Sequence, residues 1–542
     1  MRKLIIGSVV VALAAVPLYS AAGVEARPAG EAGTDTFVVV FKDGASLDAA
    51  HAAVAAAGGT IISENSEIGV ATITTANTNF VATANQQGAI EGVAHNQVIG
   101  EVPNDVAADG AVKKDDGVER VGRAAVNAAA AKRGPRPPRA EPLADLQWDM
   151  KQIGATASGS YKYNQGSDQV LVGIIDTGVD ASHPDIAPNF DFALSRNFTT
   201  DIPVDANGDT IDGPCEHLGC VDPPTEDDDG HGTHVASTIA SPINGIGIAG
   251  VAPKVKIVNL RAGQDSGYFF LQPSVDALTY AGDHGIDVVN MSFYVDPWLF
   301  NCADNPADSP ADQAEQRAVI TAMQRALDYA RRRGVTLVAA AGNGATDYTK
   351  VIDDASSPDF ASEPGELPYD RTIPASCISM PSEGKGVIDV ASTGPSLRKA
   401  YYSDYGNGYI DVAAPGGDAY DTANGTLSVG GLVLAAYPES LAVLNGDIDE
   451  NGEPTTPFVI KDCANGVCAY YQYLQGTSMA SPHAAGVAAL IVSRFGVRDR
   501  LHGGLTLSPF AVEAIMKATA TKTACPVPNT FTYTRLRQQA DG

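Results

Sequence analysis

Three short stretches of this sequence carry residues that could act on one another chemically. GIIDTG (173–178) puts Asp176 after two apolar residues, DDDGHGTHVASTIA (227–240) sets His231 between glycines, and LQGTSMASPHAAGVAAL (474–490) sets Ser478 after Gly476 and Thr477. An Asp-Thr-Gly behind an apolar pair reads either as a half-site of an aspartic protease or as a carboxylate that steers a histidine. The first reading needs a second such triplet, because two carboxylates must share one proton. The only candidate, Asp265-Ser266-Gly267, follows the polar RAGQ, so the aspartic reading fails. A histidine at the mouth of a helix can be reached by a substrate. A serine entering a helix has backbone N–H groups and the positive end of the helix dipole beside a developing oxyanion. Asp, His and Ser then supply an orienting carboxylate, a general base and a nucleophile. Taken singly, each has a plainer reading: a turn at Asp176, a surface histidine at His231, a helix cap at Ser478. His234 lies inside the helical segment that runs on into the apolar VASTIA, and reads as a packed residue instead of half of a metal pair.

The elements that must hold these residues follow from periodicity. VLVGIID (170–176), VKIVNL (255–260), IDVVNMS (286–292) and VTLVAAAGN (335–343) are short β-branched runs, and helical segments lie between or beside them. That alternation predicts an α/β fold, a parallel sheet covered by helices on both faces. Reacting groups in such sheets gather outside the carboxyl ends of the strands, where Asp176, Ser292 and Asn343 fall. Ahead of it, residues 36–103 alternate strand, helix, strand, strand, helix and the apolar HNQVIGEVP (95–103), which predicts a small ferredoxin-like α+β domain. Between the two, residues 104–142 turn to Ala, Gly and alternating Pro and Arg, the composition of an exposed linker.

With three motifs in this order the chain resembles the subtilisin-like serine proteases, or subtilases. IIDTGVDASHPD, DGHGTHVAS and GTSMASPHAAG are the residues that carry the resemblance. It implies a triad of Asp176, His231 and Ser478, with the Asn343 side chain and the Ser478 backbone N–H holding the oxyanion. It also implies that substrate adds as a strand between two edges, NMSFY (290–294) and AGQDSGY (262–268). Ser292, Phe293, Tyr294, Gly263, Ser266, Gly267, Ala341 and Gly342 are the expected substrate contacts. Phe293-Tyr294-Val295 stands where the family commonly has Leu-Gly-Gly, and two bulky residues there would reshape the pocket floor. The resemblance places a structural calcium at Asp185 and Asn244, with carbonyls between Pro242 and Ile248, and implies no catalytic cofactor. The unit at 36–103 resembles the family's inhibitory propeptide, and QWDMKQIGA (147–155) the start of a mature domain.

Residues 1–22, with Arg2 and Lys3 ahead of an apolar run from Leu4 to Val16, read as a secretory signal. The expectation is a secreted, extracellular monomer, free of the membrane once the signal is removed. Thirty-six basic against 64 acidic residues leave a net charge of −28, which excludes nucleic acid as a partner. The seven cysteines of an exported chain point to disulfides. Cys215 with Cys220 and Cys463 with Cys468 are the expected local bridges, with a zinc site built on these residues or on Cys215, His217 and Cys220 as the rival. Cys302, Cys377 and Cys525 are left open. The domain reading is signal 1–22, propeptide 36–103, linker with the maturation site 104–142, catalytic domain 143–520 and extension 521–542. The acidic insertions 201–229 and 416–474 read as solvated loops, since neither completes a twelve-residue calcium pattern. The activity implied is endopeptidase action on protein or peptide substrates, made as a zymogen inhibited by its own propeptide. A narrow processing protease and an inactive binding protein on the same scaffold are the alternatives.

Overall fold

The fold is taken from a computed structural model, which describes residues 35–96, 98–101, 118–120 and 140–533 apart from 296, 362–364, 526 and 528. The expected signal 1–22 and most of the expected linker lie outside the described residues. No helix among the described residues is long and apolar enough to cross a membrane.

Seven parallel strands form the central sheet, in the order Val412–Pro415, Val387–Thr393, Thr336–Ala340, Val288–Met291, Leu171–Ile175, Lys256–Arg261 and Arg196–Asn197. The β-branched runs of the sequence are the strands at its centre, buried because helices cover them. On one face Leu271–Asp283 and Pro310–Arg332 pack on Leu260, Val289 and Leu337. On the other, His231–Ala240, Thr477–Phe495 and Pro509–Thr519 pack on Val172, Ile174 and Val338. The helix Pro310–Arg332 starts where Ser309 and Asp312 form a reciprocal cap, with proline in the first turn and Arg331 and Arg332 in the last. Both ends therefore suit the helix dipole.

The N-terminal unit has the expected β-α-β-β-α-β order, as a four-stranded antiparallel sheet of Thr60–Asn65, Val70–Thr75, Asp35–Phe41 and Ile90–His95. One face closes on the unit's own helices through Phe37, Val39, Val54 and Phe80. The other presents Val38, Val40 and Ala94 to Ala318 and Ala322 of the helix Pro310–Arg332. Arg325 of that helix donates to Asp43 (2.7 Å) and Glu91 (2.6 Å). The closing strand is Ile90–His95, not HNQVIGEVP as a whole. Val98–Glu101 leaves the small sheet and pairs antiparallel with Tyr268–Phe270 of the larger domain.

One loop expectation is corrected, while 201–229 remains a loop of mostly exposed or half-buried residues. Residues 416–474 build a three-stranded antiparallel sheet, Val433–Tyr437, Val467–Leu474 and Val459–Ala464, because Leu434, Tyr471 and Tyr473 give it an apolar face to bury. Ala436 N donates to Ser237 of the His231 helix (2.9 Å), so this insertion supports the catalytic region. In the other insertion Ile211 is buried against Tyr268, Phe270 and Phe360 behind the expected substrate edge. Residues on either side of 143–520 also pack on the domain. Ala140 and Glu141 are already buried, with Glu141 Oε2 accepting from Gly245 N (2.7 Å). Tyr533 donates to Asp418 Oδ2 (2.7 Å) and Arg398 lies over Phe531, so the segment after residue 520 packs back on the domain.

Both local disulfides form, which removes the zinc rival, and Cys302 bonds Cys377 across 75 residues. Cys525 is free and exposed. Closing a loop of that length removes about 4 kcal/mol of unfolded-state entropy on the chain-entropy account. The double variant Cys302→Ala with Cys377→Ala should accordingly melt several degrees lower. Scanning calorimetry showing an unchanged midpoint would refute this.

Candidate active site

Asp176 emerges at the end of the strand Leu171–Ile175 and is fully buried. Its Oδ1 accepts from Thr177 N (2.9 Å) and lies 2.7 Å from His231 Nδ1. The imidazole opens the helix His231–Ala240 and turns Nδ1 to the carboxylate, as steering requires. Asp227, which the sequence reading passed over, joins the two loops. Its carboxylate accepts from Thr177 Oγ1 (3.0 Å), Gly230 N (2.9 Å), Thr233 N (2.8 Å) and Thr233 Oγ1 (2.6 Å). The loops approach so closely that a Cβ at Gly232 would lie 2.1 Å from the carbonyl oxygen of Gly178. The run of aspartates before His231 was the available signal.

Ser478 is the second residue of the helix Thr477–Phe495, so its backbone N–H is one of the unpaired groups at that terminus. Its Oγ donates to the carbonyl of Ser292 (3.3 Å). The Ser292 side chain is buried, donates to Ser478 O (3.1 Å) and meets Ser481 Oγ at 2.8 Å. Ser292 therefore braces the helix that carries Ser478 with its hydroxyl. Asn343 Oδ1 accepts from Thr477 N and Thr477 Oγ1, both at 2.9 Å, which fixes the amide and aims Nδ2 at the space beside Ser478.

That space holds Glu119. Asn343 Nδ2 donates to Glu119 Oε1 (3.4 Å), and Glu119 Oε2 stands 3.3 Å from His231 Nε2, at ion-pair distance but off the axis of a hydrogen bond. Gln475 grips the same segment by donating from N to Glu119 O (3.3 Å) and from Nε2 to Val118 O (2.8 Å). Val118 packs on Ala400 and Tyr402, and Arg120 donates to Asp229 O (2.8 Å). Nothing in the sequence marked Glu119, because the composition around it is that of a linker.

Burial, the largest influence on His231, pulls its pKa down, but the carboxylates of Asp176 and Glu119 outweigh it and leave the imidazole raised well above its ordinary value. Asp229, which accepts from the His231 backbone N–H (3.0 Å), and His234 also face the ring's surroundings. Burial, chiefly, lowers His234 to about 3, so it is the neutral packed residue expected, with Nε2 on the carbonyls of Val433 and Gln472. Since the folded pKa of His231 is raised above the unfolded ~6.5, its pairing with Glu119 is fully present below that value and fades as pH rises through the folded pKa. Conversion of the full-length chain to a shorter form should accordingly speed up from pH 6 to alkaline pH. A time course on gels that is flat or slower with rising pH would contradict this.

The expected edge at 262–268 turns back on itself. Gly263 bridges Phe269, and Gln264 N donates to Tyr268 O (2.8 Å). Ser266 gives both its N–H and its hydroxyl to Asp212 (3.0 and 2.8 Å), and Gly267 N donates to Gln264 O (2.9 Å). The Phe293 ring is buried and stacked on Phe269, centroids 4.1 Å apart. Tyr294 beside it is half-buried. Ala341 is buried, and Gly342 N donates to Thr477 Oγ1 (3.1 Å). Asp265 pairs with Arg261 and takes no catalytic place.

Asp185 and Asn244 are brought together, but their oxygens are already satisfied. Asp185 Oδ1 accepts from Asn244 Nδ2 (2.9 Å), Oδ2 accepts from Tyr471 OH (2.8 Å) and Ile248 N (3.1 Å), and Asn244 Oδ1 accepts from Ile246 N (3.1 Å). A Cβ at Gly247 would lie 1.8 Å from the Tyr471 hydroxyl, so the tyrosine fills the loop's concavity. Burial, first among the causes, raises Asp185 to about 7. This arrangement does not fit a cation, and no step is derived through one.

The subtilase family model matches residues 167–534, more than half of the chain. This chain belongs to the subtilase family. It is 27% identical to fervidolysin of Fervidobacterium pennivorans over 66% of this chain and 39% of the relative. It is 27% identical to subtilisin DY of Bacillus licheniformis over 62% of this chain and 84% of that one. With the extracellular protease of Xanthomonas campestris pv. campestris it shares 30% identity over 69% and 48%. The match thus spans less than two thirds of the length of several relatives. Among solved structures, the epidermin leader peptide processing serine protease of Staphylococcus aureus shares the fold, with a TM-score of 0.56, 20% identity, and coverage of 90% of this chain and 100% of that one. Fervidolysin's structure gives a TM-score of 0.55 at 22% identity, with 90% and 57% covered.

Proposed function

We propose that this subtilase is a secreted serine endopeptidase made as a self-processing zymogen. Ser478 attacks the peptide carbonyl after His231 takes its proton, and the imidazolium later protonates the leaving amine. Asp176 holds the tautomer with Nδ1 protonated, while Asn343 Nδ2 and the Ser478 N–H receive the oxyanion. The observation that carries the reading is the 2.7 Å Asp176–His231 contact beside a serine at a helix N-terminus, with a carboxylate held at the position a developing oxyanion would take.

The inhibited form is supported by the same carboxylate. With Glu119 between His231 and Asn343, the Ser478 hydroxyl bonds the Ser292 carbonyl, and the carboxylates of Asp176 and Glu119 raise the His231 pKa, which favours the cation over the free base. The strand Val98–Glu101 on Tyr268–Phe270 lies on the edge a substrate would use, which supports the propeptide reading of the N-terminal unit. The three disulfides and the extracellular relative support secretion.

Mass spectrometry after a serine-directed phosphonylating probe tests both halves. One adduct on Ser478 of a chain that has lost its first hundred or so residues supports the reading. A correctly folded, shortened chain that takes no adduct would make the scaffold an inactive one. A digest of denatured mixed protein then measures breadth: many unrelated cut sites oppose a narrow processing role.

A further inference from the structure

The wall of the reaction space beside His231 is acidic, and a cation of this chain rests on it. Asp229 stands two residues ahead of His231, and its Oδ1 accepts from His231 N (3.0 Å). Arg120, the residue after Glu119, donates from Nη2 to Asp229 O (2.8 Å) and holds the same nitrogen 3.7 Å from Asp229 Oδ2. That Oδ2 accepts no hydrogen bond from any described residue, and the Asp229 side chain is 21% exposed even with the segment in place. Burial, first among the causes, raises the Asp229 pKa, and the charge of Arg120 is the first influence to lower it. A carboxylate set in such a wall is costly to keep ionised unless a cation faces it. The wall is backed by the insertion 416–474: a Cβ at Gly230 would lie 3.0 Å from Leu441 Cδ1 and 3.4 Å from the Tyr437 ring. Tyr437 in turn donates to Asp447 Oδ2 (3.1 Å) and accepts from Asn445 Nδ2 (2.8 Å).

We propose, resting on the endopeptidase reading above, that Asp229 selects substrates with an arginine or lysine flanking the scissile bond, and that Arg120 holds this place in the full-length chain. Glu119 and Arg120 are adjacent. While one side chain sets its carboxylate beside Asn343 and His231, the next reaches the wall at Asp229, so the cation's place lies next to the reacting centre. Displacing the segment uncovers Asp229 and takes away the cation that faces it. A substrate guanidinium restores both contacts, to the carbonyl and to the carboxylate, and its planar fork of donors favours arginine over lysine. An acidic residue at the same place meets the run Asp227-Asp228-Asp229 and is repelled. The net charge of −28 draws cationic peptides towards the enzyme before they dock.

Values of kcat/KM for the mature enzyme on peptides that differ only in carrying arginine, lysine, norleucine or glutamate, placed in turn at each position flanking the bond, test this. At one flanking position arginine should exceed norleucine by about 10-fold, the scale of a charge-assisted hydrogen bond, and the ratio should fall as salt is added. Asp229→Asn should bring the ratio close to one, while Asp229→Glu should keep most of it. Both peptides meet the same variant, so a general loss of activity cancels from the ratio. If Asp229→Asn does not fold, the salt dependence of the parent's ratio keeps the test decisive. Equal cutting of the arginine and norleucine peptides, a preference that survives Asp229→Asn, or one indifferent to salt would overturn this assignment alone. No cleavage of any peptide, together with no phosphonyl adduct on Ser478, would overturn the endopeptidase reading and this assignment with it.

Discussion

Replacing Ser478 with alanine is expected to lower kcat by about 10⁶-fold, the scale on which removal of the serine acts in a triad of this kind. The proposed nucleophile has no substitute among its neighbours. Its neighbours Ser292 and Ser481 have hydroxyls tied to each other and to the Ser478 carbonyl, and Thr477 is bound to Asn343. Asp176→Asn should cost about 10⁴-fold, since an amide at 2.7 Å from Nδ1 favours the wrong tautomer while preserving the contact. Single-turnover assays on a chromogenic peptide give both numbers, and the Ser478→Ala chain should stay full length. Residual turnover above about 1% in Ser478→Ala would place the nucleophile elsewhere.

The second large effect is expected at Glu119. Its carboxylate is nearly fully buried, and removing one partner of a buried charge pair costs about 2–5 kcal/mol of binding, so the segment's grip should weaken by roughly 30-fold or more. Glu119→Gln keeps the shape and the Asn343 contact but removes the charge, and Glu119→Ala removes both. Both variants should mature faster than the parent, and the pH at which maturation accelerates should fall, because Asp176 alone then raises His231. The shift in pH separates this role from a merely structural one. Faster maturation with an unchanged pH profile would mean that the segment acts as a steric plug without the ion pair. Unchanged maturation would mean that Glu119 restrains nothing. The variants leave the triad intact, so the mature enzyme's kcat should match the parent's.

The sequence by itself determined the sheet, its helices and where the proposed catalytic residues fall on them. Strand and helix periodicities are local, and Asp176, His231, Ser478 and Asn343 each sit at a strand or helix end whose position those periodicities set. The local disulfides were legible for the same reason, being five residues apart. Tertiary structure decided what depends on distant partners. Phe293 stacks on the ring of Phe269, 24 residues earlier, a partner that only the fold supplies. Asp185 looked like a metal ligand until Tyr471, 286 residues away, brought its hydroxyl to the carboxylate. Glu119 had no pattern to betray it, because its role comes from meeting His231 and Asn343 across the fold. The two acidic insertions looked alike in composition, yet one buries tyrosines in a sheet and the other encloses bare carboxylates. Charge and hydropathy report what a segment is made of, whereas desolvation and pairing depend on what folds against it.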